Sequence, residues 1–253
     1  MALKHRHFLS PLLLIISGIW LLATSTKAIG GESYFLLMYG AQRKCPTPNY
    51  THTWATFVRA TWQGDGPCPV NAVLQETTIS WLPVTGKVRD TALCPEAGRN
   101  YGLDETIAWC YQNEMRISLW GAYQIQPELH NAAVRQKALL DSGRVRYKAI
   151  DTGYSTDKVS NCIHAVSSVV EGSRLRVISP GWGETASFLV LQKLEPMIVE
   201  PGVIHGWVSS ALGLDQYPII YRDFTNPRSG AFQGPVNRLF GGENNLKATL
   251  GRP

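Results

Sequence analysis

The chain has 253 residues, a formal charge of +5, and 44% apolar residues that include ten tyrosines and eight tryptophans. That apolar and aromatic load suits a packed core and excludes a disordered chain. Basic residues never run longer than a pair and no aromatic-interleaved basic stripe occurs, so no nucleic-acid partner is expected.

The N-terminus reads as an export signal. Lys4, His5, Arg6 and His7 form a basic start, Phe8 to Ala23 is a nearly uninterrupted apolar run, and small residues follow at Ala23, Ser25 and Ala28. The run is short for a spanning helix, which needs ~20 apolar residues. Residues 1–28 are therefore expected to be a cleaved signal peptide, with cleavage after Ala28 or Ser25, and the mature protein to be periplasmic or extracellular. The alternative is a protein anchored to a membrane by an uncleaved segment. Losing Lys4, Arg6 and Lys27 leaves 21 basic against 19 acidic residues, a net charge of only +2.

Five cysteines in an exported chain is an odd number. Two disulfides among Cys45, Cys68, Cys94 and Cys110, with Cys162 left free, fit an oxidising compartment. Cys45 and Cys68 sit beside prolines on either side of a strand and are the expected pair.

In chain order, Ser33–Tyr39 is a short apolar strand. The β-branched and aromatic stretch 51–62 (Thr-His-Thr-Trp-Ala-Thr-Phe-Val) is a second strand. The turn-rich residues 63–69 lead to its partner within 72–82. Leu103–Asn113 has acids at its start and helical apolar spacing, and 116–123 returns to extended sequence. Pro127–Ser142 is the clearest helix, with Pro127 in the first turn and Gly143 closing it. Val145–Ile150 is a short strand and Ser160–Val170 a helix. Ala186–Val190 is helix or strand, and Pro201–Leu214 a helix carrying His205. The tail from residue 225 is rich in Gly, Asn, Pro and Arg and reads as irregular. Strands and helices mix without regular alternation, which gives an α+β fold.

The most informative stretch is Ser160-Asn161-Cys162-Ile163-His164. Asn161 is a good helix cap, placing Cys162 in the first turn. Unpaired amide N–H groups there favour a thiolate and offer donors to an oxyanion. A base is needed. His164, two residues on, points to a different side of a helix. His130 falls on the polar side of its helix, and His205 precedes Gly206-Trp207 without a clear tie to the thiol. His52 opens a strand, a platform that holds an imidazole rigidly. A strand histidine facing a helix-start cysteine is the general Cys–His arrangement.

His52 on an early strand, a second strand after it, and the later Asn-Cys-x-His segment resemble the circularly permuted papain-like hydrolases. That group includes permuted NlpC-type enzymes, lecithin:retinol acyltransferase-like proteins and PPPDE peptidases. The resemblance spans roughly residues 50–170. It implies an antiparallel sheet packed on the cysteine-bearing helix, Cys162 as nucleophile, His52 as base, and an acyl-enzyme formed from an amide, ester or peptide substrate, with cell-envelope material as one source. The polar orienting residue of such enzymes is matched here only by the hydroxyls of Thr77, Thr78 and Ser80, of which Thr78 and Ser80 are the site candidates. Asp151 is an alternative orienter, otherwise a solvated loop acid.

The domain is expected over 29–224, with an insert at about 83–150 shaping a cleft or covering the site. Glu184 and Tyr221-Arg222-Asp223 read as surface ion pairs. No Cys-x-x-Cys pair, His-Glu-x-x-His or phosphate-binding glycine loop occurs, so no cofactor is expected, and a zinc site from His52, Cys162 and His164 lacks a fourth ligand. Two functions follow as expectations: an exported thiol hydrolase or acyltransferase, or a non-catalytic envelope or binding protein that keeps the fold with Cys162 buried. A membrane partner is expected only if the N-terminal segment is retained.

Overall fold

A computed structural model describes residues 30–45, 47–172, 175 and 183–223. Residues 1–28, expected as a signal peptide, and the tail from residue 225 lie outside them. The fold is α+β. A five-stranded sheet, ordered β3-β2-β1-β6-β9, is built from β1 (Gly30–Gln42), β2 (Thr51–Gln63), β3 (Val73–Ile79), β6 (Arg116–Ile125) and β9 (Ile220–Arg222). Neighbours are antiparallel except β6 and β9, which run parallel. A small four-stranded sheet, β4-β5-β7-β8, joins β4 (Trp81–Pro83), β5 (Glu96–Asn100), β7 (Arg146–Tyr147) and β8 (Val159–Ser160).

Both faces of the large sheet are buried, and each has its own core. One layer packs α2 (Pro127–Asp141), α3 (Cys162–Ser167) and α4 (Glu184–Leu194) on Leu36, Met38, Ala55 and Phe57. The other packs α1 (Leu103–Gln112) and α5 (Gly206–Ala211) on Leu37, Tyr39, Trp54 and Val58. This explains why β1 reads as a continuous apolar run rather than an alternating one: each of its faces meets helices. The segment expected as an insert is woven into this arrangement, because β6 is the strand beside β1 and α2 covers the sheet.

Close packing dictates two glycines. A Cβ on Gly40 would lie 2.8 Å from both Glu184 Cα and Ser187 Oγ, so a side chain there would push α4 off β1. Gly183, just before α4, has φ 67°, a left-handed conformation that glycine adopts without strain, and a Cβ there would sit 2.8 Å from Ala41 O.

Several expected features are corrected. The helix over 160–170 shrinks to six residues, since Ser160 belongs to β8 and Asn161 is the cap. The helix over 201–214 is shortened to α5, with His205 preceding it. Strands β5, β8 and β9 are too short to leave a periodic signal. All five cysteines are free thiols. The Cys45–Cys68 pair fails on geometry: β2 has 13 residues and at ~3.3 Å each it separates the two loops by roughly 40 Å of strand, whereas a disulfide needs Cα atoms within about 7 Å.

Glu184 is no surface residue either. It is 1% exposed and meets two guanidinium groups, Arg116 through Nε at 3.1 Å and Arg222 through Nη2 at 3.5 Å, while Ser118 Oγ donates to it at 2.7 Å. Arg222 also donates from Nε to Ser118 Oγ. This network ties α4, β6 and the edge strand β9 together. Glu184→Gln would leave the buried Arg222 without its carboxylate and is expected to cost about 3–5 kcal/mol. Arg116→Gln, at the partly exposed end, is expected to cost about 1 kcal/mol or less. Urea unfolding of the two variants checks this order.

Candidate functional site

Cys162 and His52 are not brought together. Residues of β2 alternate between the two cores, as strand geometry requires. His52 lies on the face of Trp54 and Val58: its ring stacks on Trp54 at 5.3 Å and meets Trp109 of α1 edge-on at 5.5 Å. Cys162 packs against the opposite core, with Ala55 and Phe57. The expected nucleophile–base pair is not hydrogen-bonded: His52 Nε2 pairs with Ser80 Oγ, its Nδ1 has no hydrogen-bond partner among the described residues, and the β2 group that meets the thiol is the backbone N–H of Thr53. The Thr53 hydroxyl points into the same layer and bonds Ser187 Oγ of α4 at 3.0 Å.

The hydroxyl expected beside His52 is present on His52's own side of the sheet. Ser80 Oγ lies 2.8 Å from His52 Nε2, and both side chains are fully buried. Thr78 does not join them; its Oγ1 pairs with Thr56 Oγ1 at 3.0 Å. Burial pushes the His52 pKa from 6.5 down to about 3, because an imidazolium there would be stripped of water with no carboxylate to compensate it. His52 is a neutral core histidine packed between indoles.

The thiol itself behaves contrary to expectation. Although Cys162 keeps partial solvent contact, desolvation of its sulfur raises its pKa to about 11, outweighing the N–H groups of Thr53 and Ile163 that lower it; the Asp151 charge adds to the rise. Two features explain why the helix start does not activate it. The helix has only six residues, so its aligned dipoles sum to little. One first-turn donor, the His164 N–H, is already taken by Asn161 Oδ1 at 2.8 Å.

Around Asn161 the structure builds a polar cluster that spacing alone did not reveal. Asp151, expected as a solvated loop acid or an orienter of His52, is 2% exposed. Its Oδ2 accepts from Asn161 N at 3.0 Å and lies 2.6 Å from His164 Nδ1, while Asn161 Nδ2 donates to Oδ1 at 3.1 Å. His164 Nε2 lies 2.8 Å from Leu175 O. Both ring nitrogens of His164 thus face oxygen acceptors, and the ring serves as a strut between two loops. Asp151 and His164 have the composition of a catalytic acid–imidazole pair, yet the Nε2 edge of the imidazole meets the Leu175 carbonyl.

The remaining imidazoles sit elsewhere. His130, expected on a polar surface, is buried against Tyr34 with ring centroids 4.8 Å apart. His205 contacts Phe35 on the far core. Among the described residues, no group of three or more His, Cys, Asp or Glu side chains could hold a metal ion, and His52 and Cys162 on opposite faces cannot share one. No helix of the described residues is long and apolar enough to cross a membrane. No family model, curated protein or solved structure matches the chain.

The buried histidines set a pH dependence with a definite sign. Burial lowers the His52 pKa to about 3 and also lowers those of His130 and His205. Below pH 6.5 the unfolded chain therefore binds protons that the folded chain does not, and stability falls as pH drops toward 3. His52→Phe is expected to flatten the loss of stability between pH 6.5 and pH 4 by close to one proton's worth of slope. Urea midpoints measured across that range check it.

Proposed function

We propose that this protein is a non-catalytic binding protein, exported by its N-terminal segment to the cell envelope, that keeps the strand-and-helix layout of a permuted papain-like hydrolase without its chemistry. The observation that carries this reading is what meets the Cys162 sulfur from β2: the backbone N–H of Thr53, whose own hydroxyl is bonded to Ser187 Oγ, and not an imidazole. His52 is on the other side of the sheet, His164 is held by Asp151 and Leu175, and the two remaining histidines beyond the N-terminal segment are remote. With no base and a pKa near 11, the sulfur is protonated at neutral pH and is a poor nucleophile.

The layout supports the family-level part of the reading. An antiparallel sheet packs on a short helix whose first residue is Cys162, and that helix contacts β2 through Thr53. Loss of the catalytic partner with retention of the packing is what a protein selected for a surface rather than for turnover would keep. Export rests on the basic, apolar and small-residue order of residues 1–28. The binding partner suggested by that destination is envelope material.

Alkylation with iodoacetamide, followed site by site by mass spectrometry across pH, tests the proposal. At pH 7.5 Cys162 is expected to react more slowly than the exposed Cys45 and Cys94, to accelerate only toward pH 11, and to be unaffected by His52→Ala. Fast labelling of Cys162 with a rate plateau near neutral pH, abolished by His52→Ala, would restore the hydrolase reading.

A further inference from the structure

We propose that the joined loops 84–95 and 144–158 form a docking surface for an anionic lipid bilayer. Lys148 makes the joint. Its Nζ donates to the carbonyls of Ala92 at 2.7 Å and Leu93 at 2.9 Å, and it lies 6.0 Å from the centroid of the Tyr154 ring. Arg146 Nη2 adds a bond to Pro95 O, and β5 pairs with β7 at Glu96 and Tyr147 directly behind. The two loops are thus joined through the carbonyls of Ala92, Leu93 and Pro95.

They present apolar side chains to solvent. Leu93 is 90% exposed, Ile150 51% and Tyr154 39%. All three project from segments tied together by Lys148. Beside them stand the exposed Arg144, Arg146 and Lys158; the main chains of Arg146 and Lys158 are hydrogen-bonded at 2.8 Å. Within 144–158 these three exposed basic side chains, with the half-buried Lys148, stand against one exposed acid, Asp157, because Asp151 is buried.

Apolar knobs inside a cationic collar match a headgroup–acyl boundary, where leucine and tyrosine enter the boundary and lysine and arginine meet lipid phosphates. A protein partner would instead demand a contiguous complementary patch of about 800 Å², which three separated knobs do not supply. The inference does not depend on Cys162, so the alkylation experiment and this one succeed or fail separately.

Cys94 is exposed and adjoins Leu93, which makes it a built-in reporter. The full chain carrying Cys45→Ser and Cys68→Ser is labelled at Cys94 with an environment-sensitive fluorophore and titrated with vesicles. Phosphatidylglycerol-containing vesicles are expected to blue-shift the emission, and phosphatidylcholine vesicles are not. High salt or the pair Leu93→Asp with Tyr154→Ser is expected to weaken the response about fivefold or more. The proposal is overturned by no shift with anionic vesicles, by an equal shift with neutral ones, or by a response the double variant leaves intact. A shift with polyglutamate and none with vesicles would also overturn it, in favour of an acidic polypeptide partner.

Discussion

The structure depends on the commitment of the side chains over the first eight residues of β2, Thr51 to Val58, to one of two buried layers. A strand sends successive residues to opposite faces, and here both faces are sealed by helices, so neither set can swing across. His52 and Thr53 are neighbours in sequence and are held in different cores. That single-residue difference decides the chemistry. It leaves the thiol beside the backbone amide of Thr53, and it leaves the imidazole among indoles beside Ser80.

The polar groups within these cores act as fasteners. Glu184 holds β6 and β9 to the start of α4, while Asp151 holds the cap of α3 and the ring of His164. In each case a buried carboxylate is compensated by several donors, which is the condition under which a buried charge is tolerated. His52 shows the opposite solution: with no countercharge within reach it stays neutral. Cys162 does the same by remaining a thiol, and the two groups that would form a thiolate–imidazolium pair are each stable in their uncharged form.

Much of the fold was legible in the sequence. The long strands around Leu36 and Phe57, the helix from Pro127 and the acidic start of the helix at Leu103 carry strong local signals, and each appears near its expected bounds. The short strands β8 and β9 were not legible, because elements that short exist only through their partners, whereas β7 falls inside the strand expected over 145–150. The site was half legible. The cap at Asn161 and the separate direction of His164 follow from helix geometry. Strand period shows that His52 shares a face with Trp54 and not with Thr53, but it cannot say which face receives α3. That choice is made by packing, through Gly40 and the seat it gives α4. Glu184, Asp151 and His130 look like surface residues for a related reason: their partners lie 10 to 142 residues away in sequence.

The central claim is therefore geometric, and proton–proton distances test it most directly. In nuclear Overhauser spectra of the folded protein, the Cys162 β-protons should show cross-peaks to the Thr53 amide. The His52 ring should show them to Trp54 and Trp109, with none between His52 and Cys162. A cross-peak joining the His52 ring to the Cys162 β-protons would contradict the account, because it would put the imidazole and the thiol on the same side of the sheet.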